Sequence, residues 1–201
     1  MKRATILVFL FILLPTIVFT QTIDNIDYIS PEIEGVIAIK KGNQWGFINN
    51  QGNLIIDFRS DIVSTKSGNN YFPIFSNERC IISTYKKGIA YFGYIDKSGK
   101  TVIETQFLNA SNFDHKRALV IKLLKDELGD NKYLNKPIIK NRTVEVVIDI
   151  NGKSLHSLTK PKSVLLRKDH LKKPPQITTK FISNNLIAIK ENKKWIIKKI
   201  K

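Results

Sequence analysis

The stretch GVIAIKKGNQWGFI at residues 35–48 returns near the other end of the chain as NLIAIKENKKWIIK at residues 185–198, with Trp45 over Trp195 and Lys40 over Lys190. Each copy is an apolar run, a short polar turn and a second apolar run, the pattern of two β-strands joined by a tight turn. The first copy runs on into Phe47-Ile48-Asn49-Asn50-Gln51-Gly52-Asn53, which recurs as Tyr94-Ile95-Asp96-Lys97-Ser98-Gly99-Lys100 and as Val147-Ile148-Asp149-Ile150-Asn151-Gly152-Lys153. The aligned glycines lie 47 and 53 residues apart. Each segment is an apolar pair, an Asn or Asp, two residues, glycine and a polar residue leading into another apolar run. That predicts a hairpin with glycine where the turn needs positive φ. The returning strands fall at residues 54–56, 101–103 and 154–158.

A second pattern precedes each hairpin. Phe75, Phe113 and Phe181 stand five residues before the apolar runs that begin at Cys80, Ala118 and Leu186. The reading is therefore strand, short turn, strand, glycine turn, strand, then a connection bearing the next Phe. One such meander hides too little apolar surface to stand alone, so neighbouring units must stack. The expected fold is all-β: tandem three-stranded antiparallel meanders, open and curved or propeller-like. Units are expected at about 33–74, 75–112 and 113–180, with a truncated copy at 181–201, all in one domain from 22 to 201.

Through these motifs the chain resembles the bacterial WG-repeat (WG-containing repeat) proteins. The resemblance lies in Gln44-Trp45-Gly46-Phe47-Ile48 with the Gly52 turn, and in Phe92-Gly93-Tyr94-Ile95 with the Gly99 turn. It continues through Gln106-Phe107, the run from Asn109 to Phe113, and Ala118-Leu119-Val120. Phe92 and Glu145 replace the Trp in the second and third copies, and Ile196 replaces the Gly after Trp195. The family implies a repetitive β architecture used for binding or scaffolding, frequently in exported bacterial proteins. It implies no catalytic residues.

The N-terminus reads as an export signal over residues 1–21. Lys2 and Arg3 form a short positive region before an apolar run from Ala4 to Phe19, broken by Pro15. The alternative is an uncleaved single-pass anchor, for which the run is short. Either places the rest of the chain outside the cytoplasm, in the periplasm, at the cell surface or secreted. The chain has 201 residues and a formal net charge of +16. Residues 22–115 hold nine Lys and Arg against ten Asp and Glu, whereas residues 116–201 hold twenty-two against seven. The whole surplus thus belongs to the second half, a field that draws anionic partners and that salt screens. Most of these cations are Lys rather than the Arg fork that reads bases, which argues against sequence-specific nucleic-acid binding.

Candidates for chemistry weaken on inspection. The single Cys80 excludes an intramolecular disulfide, a cysteine-pair zinc finger and a lipobox. It aligns with Ala118 on an inner strand and reads as a small core residue. His115, His156 and His170 have no second ligand or carboxylate at metal or triad spacing. Asp149-Ile150-Asn151-Gly152 lacks the closing glutamate of a calcium loop and reads as a turn. No enzyme, cofactor or metal is expected.

The residues singled out are therefore those of the repeat: Trp45, Gly46, Gly52, Phe92, Gly93, Gly99, Gly152 and Trp195. The aromatics are expected to space successive units, the alternative being an exposed row that stacks on sugar rings. Two segments interrupt the rhythm. Residues 125–141 are expected to form a polar hairpin tip or loop, and residues 160–176 a short helix over 163–171 followed by an extended linker. Lys172, Lys173, Lys193, Lys194, Lys198 and Lys199 are the candidates for meeting an anionic partner, although lysines on an edge strand also serve to block aggregation. The functional expectation is a non-catalytic exported binding or scaffold module for a protein or glycan. The alternative is an electrostatic adaptor held on an anionic envelope polymer or lipid surface by the basic C-terminal half.

Overall fold

A computed structural model of the chain describes residues 22–131, 133 and 135–200. The expected signal helix at 1–21 lies outside the described residues. Among these, every regular element is a strand. The first sheet runs β1 (Tyr28–Ile33), β2 (Val36–Lys41), β3 (Gln44–Asn49) and β4 (Leu54–Arg59) in sequence order. A small hairpin, β5 (Thr65–Ser67) and β6 (Asn70–Phe72), leads to the second sheet of β7 (Cys80–Lys86), β8 (Ile89–Ile95) and β9 (Thr101–Phe107). The third sheet is β10 (Asn109–Ala110), β11 (Arg117–Asn131), β12 (Lys136–Asp149) and β13 (Ser154–Ser157), with β14 (Lys162–Ser163) also on β12. The fourth is β15 (Thr179–Ser183), β16 (Leu186–Glu191) and β17 (Lys194–Lys199). Among the described residues all strand pairings are antiparallel and no sheet closes into a barrel.

The units differ from the expected uniform three strands. The first gains β1, and the third gains β10 and β14. Of the two expectations for residues 125–141, the hairpin is the one found: their described residues belong to the outer part of one long hairpin, paired from Arg117 opposite Asp149 out to Asn131 opposite Lys136. Its outer strands are held by backbone pairing and by Arg142, which clamps both carboxylate oxygens of Asp126. The expected helix at 163–171 is absent. Residue 163 belongs to β14, and only one turn forms beyond it, where Arg167 O accepts from the backbone N–H groups of His170 and Leu171. Leu166 and Leu171 instead pack onto Ile89, Leu108 and Ile121, so the apolar residues that suggested a helix serve as separate anchors of an extended strap.

Burial alternates along the strands because successive side chains point to opposite faces. On β7, Cys80 and Ile82 join Val36, Ala38, Trp45, Phe47 and Ile56 in a core against the first sheet. Ile81 between them points the other way, into a core with Ala118, Val120, Val144 and Val146 of the third sheet. On β11, Leu119 turns away from that core to meet Ile187 and Ile189 of the fourth sheet. The second and third sheets are thus buried on both faces. Phe75 and Phe113 seal the junctions: each meets the aromatic that precedes the glycine turn of the unit before it edge-on, Phe47–Phe75 and Tyr94–Phe113 both at 4.8 Å between centroids.

Turns repeat as faithfully as cores. In the three glycine hairpins the Oδ1 of Asn49, Asp96 or Asp149 accepts from the backbone N–H groups two and four residues on, closing an Asx turn. Gly52, Gly99 and Gly152 sit at φ of +84°, +80° and +83°, where a β-carbon is strained. A second set of turns forms a ladder between units. The Glu34 carboxylate accepts from the N–H groups of Asn77 and Glu78, Asn77 Oδ1 accepts from Lys116 N–H, and the Arg117 guanidinium donates to Asn184 O.

Gly46 and Gly93 have a different reason to be glycine. Beside each, the returning strand bulges, between the pairs Trp45–Arg59 and Phe47–Ile56 and between Phe92–Phe107 and Tyr94–Ile103. A β-carbon on Gly93 would lie 2.3 Å from Ile103 O, and one on Gly46 would lie 3.0 Å from Ile56 O. In the third sheet β13 pairs opposite Val146 and Val147 without a bulge at the matching place, and Val146 stands where the glycine would. Gly93→Ala is expected to destabilise the chain by about 1 to 3 kcal/mol, the range of overpacking, with Gly46→Ala at or below the low end. Urea unfolding midpoints of the two variants check that order; equal midpoints would refute it.

Candidate functional site

The aromatic of the repeat occupies one register position, on the face turned towards the next sheet, and four residues fill it differently. Trp45 is 7% exposed, edge-on to Tyr28 at 5.8 Å, with the Lys40 ammonium 5.8 Å from its ring centroid. Phe92 is equally buried, within the core between the second and third sheets. Both are spacers between units, not a row of exposed sugar-stacking rings.

Glu145 takes the same place in the third unit and is also buried. Its Oε1 accepts from Thr178 Oγ1 at 2.6 Å and Thr178 N–H at 3.0 Å, and its Oε2 from Thr179 N–H at 3.0 Å and Thr179 Oγ1 at 2.7 Å. One carboxylate thereby ties β12 to the start of the fourth sheet. An anion out of water needs such charge-assisted bonds to be tolerated there. The residue is legible in the sequence only as a departure from the aromatic pattern. Its partners, two threonines some thirty residues on, give no signal of their own.

Trp195 fills the fourth position and is 49% exposed. Its register neighbours on that face are Lys190 directly opposite and Ala188 opposite Ile197. Lys180 Nζ lies 4.8 Å and Lys190 Nζ 5.6 Å from the Trp195 ring centroid, so two ammonium groups sit over one indole. Ile182 at 49% and Ile197 at 64% exposed extend the apolar surface around a shallow depression lined by Lys180, Ala188 and Trp195. In the first sheet the equivalents of Trp195 and Ile197 are Trp45 and Phe47, the latter only 1% exposed.

The candidate lysines fall in two places. Lys193, Lys194, Lys198 and Lys199 are exposed on the β16–β17 hairpin, Lys193 at its turn with φ of +66°. The pairing puts Lys199 on the Trp195 face and Lys194 and Lys198 on the other. Lys172 and Lys173 are exposed on the strap that follows the third sheet, where Lys172 borders a depression beside Tyr85 and Gly88. The structure brings the first four together and leaves the other two apart. Lys180 and Ile182, which complete the exposed surface, lie on β15, whose repeat signal is confined to Phe181.

Cys80 is wholly buried, and burial pushes its thiol well above the usual range. Among the described residues no three His, Cys, Asp or Glu side chains gather as metal ligands.

The family model of the WG containing repeat matches residues 45–74 and 92–122, the first and second units as far as β11. The chain carries WG-containing repeats. No curated protein and no solved structure matches it.

Two outcomes follow from this geometry. Glu145→Leu leaves four donors facing an apolar side chain and is expected to cost about 3 kcal/mol, with amide protection of residues 186–191 lost before that of residues 80–107 in hydrogen exchange. Protection lost evenly across all sheets would contradict the local role. Cys80 is expected to resist a disulfide-exchange reagent in the folded chain and to react at once in denaturant; rapid labelling of the folded chain would refute its burial.

Proposed function

We propose that this WG-repeat protein is a non-catalytic exported module that binds or scaffolds a partner, and that the partner docks at the fourth sheet. In this reading the tandem meanders form an open, curved array, and the segment at 1–21 delivers it to the periplasm, cell surface or medium. The partner is a protein or glycan.

One observation carries the proposal. The aromatic position that serves stacking at Trp45 and Phe92 is half exposed at Trp195, amid exposed isoleucines and several lysines. Folded proteins tolerate scattered exposed apolar residues, but a contiguous apolar surface rimmed by charge is the usual mark of an interaction site. The reading of the chain as a purely electrostatic adaptor rests on the exposure of all six candidate lysines. Their division between the β16–β17 hairpin and the strap, and across both faces of β17, favours a shaped site over a flat cationic plane.

The test is capture from solubilised envelope by the mature chain at low and high salt. It is run beside Trp195→Ala and beside a variant with Lys193, Lys194, Lys198 and Lys199 all changed to Gln. A shaped site predicts capture that persists at high salt and is lost with Trp195→Ala. Capture that vanishes at high salt and in the lysine variant, yet survives Trp195→Ala, would establish the adaptor instead.

A further inference from the structure

The strand that bears the aromatic position is paired on both edges in three of the four sheets. β3 lies between β2 and β4, β8 between β7 and β9, and β12 between β11 and β13. In the fourth sheet β17 pairs with β16, and among the described residues no strand pairs with its other edge. Backbone N–H and C=O groups of alternate residues along Lys194–Lys199 therefore face outwards, beside the exposed Trp195 and Ile197. We infer that this edge accepts a strand from an acidic partner polypeptide, an extended segment alternating apolar and acidic residues, in the place that β4 takes in the first sheet. The inference rests on the proposed function above and names the partner's chemistry.

Three features fix that chemistry. The edge supplies main-chain donors and acceptors in register, which select an extended polypeptide. The first sheet shows how side chains follow: β4 places Ile56 opposite Phe47, the equivalent of Ile197, and Arg59 opposite Trp45, the equivalent of Trp195. Apolar side chains of an incoming strand would thus cover Ile197 and flank Trp195. Charge supplies the third feature, because Lys194, Lys198 and Lys199 line the strand and Lys180 and Lys190 lie over the indole. With its apolar side chains on the Trp195 face, the incoming strand presents its carboxylates on the other face, to Lys194 and Lys198, while Lys180, Lys190 and Lys199 add to the positive field around the edge.

The same lysines argue against a second copy of this chain as the occupant. Edge-to-edge pairing of two β17 strands would set lysines across from lysines, a like-charge arrangement that sheets avoid. Ile196, at the position of Gly46 and Gly93, is compatible with a strand that pairs without the bulge, as β13 does beside Val146.

The test uses the unaltered mature chain, in which Trp45 is shielded and Trp195 supplies the quenchable emission. Four probes are compared: a short synthetic peptide alternating aspartate with leucine, isoleucine and phenylalanine; the same peptide with alternate backbone amides N-methylated; its lysine-for-aspartate counterpart; and polygalacturonate. Strand addition predicts that the acidic peptide shifts tryptophan emission to the blue and protects it from iodide. N-methylation should weaken binding by about tenfold or more, equivalent to about 1.4 kcal/mol, and the lysine peptide should leave the emission unmoved. A variant with Lys194, Lys198 and Lys199 changed to Gln should bind the acidic peptide roughly tenfold more weakly. Equal binding of the N-methylated peptide would overturn strand addition, as would tighter binding of polygalacturonate or no shift with any peptide. If the peptides fail while Trp195-dependent capture at high salt persists, strand addition falls and the broader binding role stands; if that capture fails too, both fall.

Discussion

The structure depends on the fact that a β-strand has two faces and that, in this chain, nearly every inner strand is apolar on both. Cys80, Ile81 and Ile82 are consecutive and all buried, which requires a sheet covered from both sides. Ala118, Leu119, Val120 and Ile121 impose the same condition one unit later. A sheet with such strands cannot face water, so each unit is completed by its neighbours and the energetics become those of a one-dimensional array. The cores between sheets are separate clusters joined only through the strands that contribute to both. Stability is therefore local to junctions, and each junction must be built from what two adjacent units offer.

Hydrogen bonds then set the spacing that the cores require. Type I′ turns with positive φ at both central residues, such as Glu34-Gly35 and Asn77-Glu78, expose backbone N–H groups at one margin of the array. Glu34 and Asn77 each use a side chain to satisfy the N–H groups of the following turn. At the glycine turns, Arg59 donates to Gly99 O, and the α-carbon side of Gly152 lies against the Ile103 side chain. The two sets of turns share this margin, where Lys97 of the Gly99 turn also donates to Glu34 O and Arg79 Nε donates to Ile150 O of the Gly152 turn. Both fix the offset between units more narrowly than apolar packing alone would, since a hydrogen bond lost in a half-buried place is costly.

How much of this was legible in the sequence depended on whether a feature repeats. The Asx-glycine turns, the paired strands and the Phe residues at each junction recur at nearly constant spacing, so alignment of the chain with itself exposes them. At residues 125–141 the sequence leaves a hairpin tip and a loop both open, because the outer half of β11 and β12 has charged residues on both sides and no alternation marks how far a strand runs without a core beneath it. At 163–171 the closeness of Val164, Leu165 and Leu166 suggests a helix, yet in the strap Leu166 and Leu171 anchor to a cluster assembled from Ile89, Leu108 and Ile121. Glu145 was visible only as an exception. Its role depends on Thr178 and Thr179, whose proximity is a product of the fold. Long-range polar pairing of this kind leaves no periodic trace.

The four residues at the aromatic position show how one register position of an array can be filled in different ways. Trp45 and Phe92 fill the gap to the next sheet with apolar volume, and Glu145 fills it with a carboxylate that the next sheet's first residues satisfy. Each solution is defined by the sheet that covers it. At Trp195 the same position, on the same face, is met by two ammonium groups from its own sheet. A Lys stem can shield an indole while its head stays hydrated, which holds the surface in water without burying it. Such a cover can be displaced at low cost, whereas a sheet packed on Trp45 cannot. A repeat position that elsewhere serves cohesion is in this unit left half exposed, and no new residue type was needed to make the change.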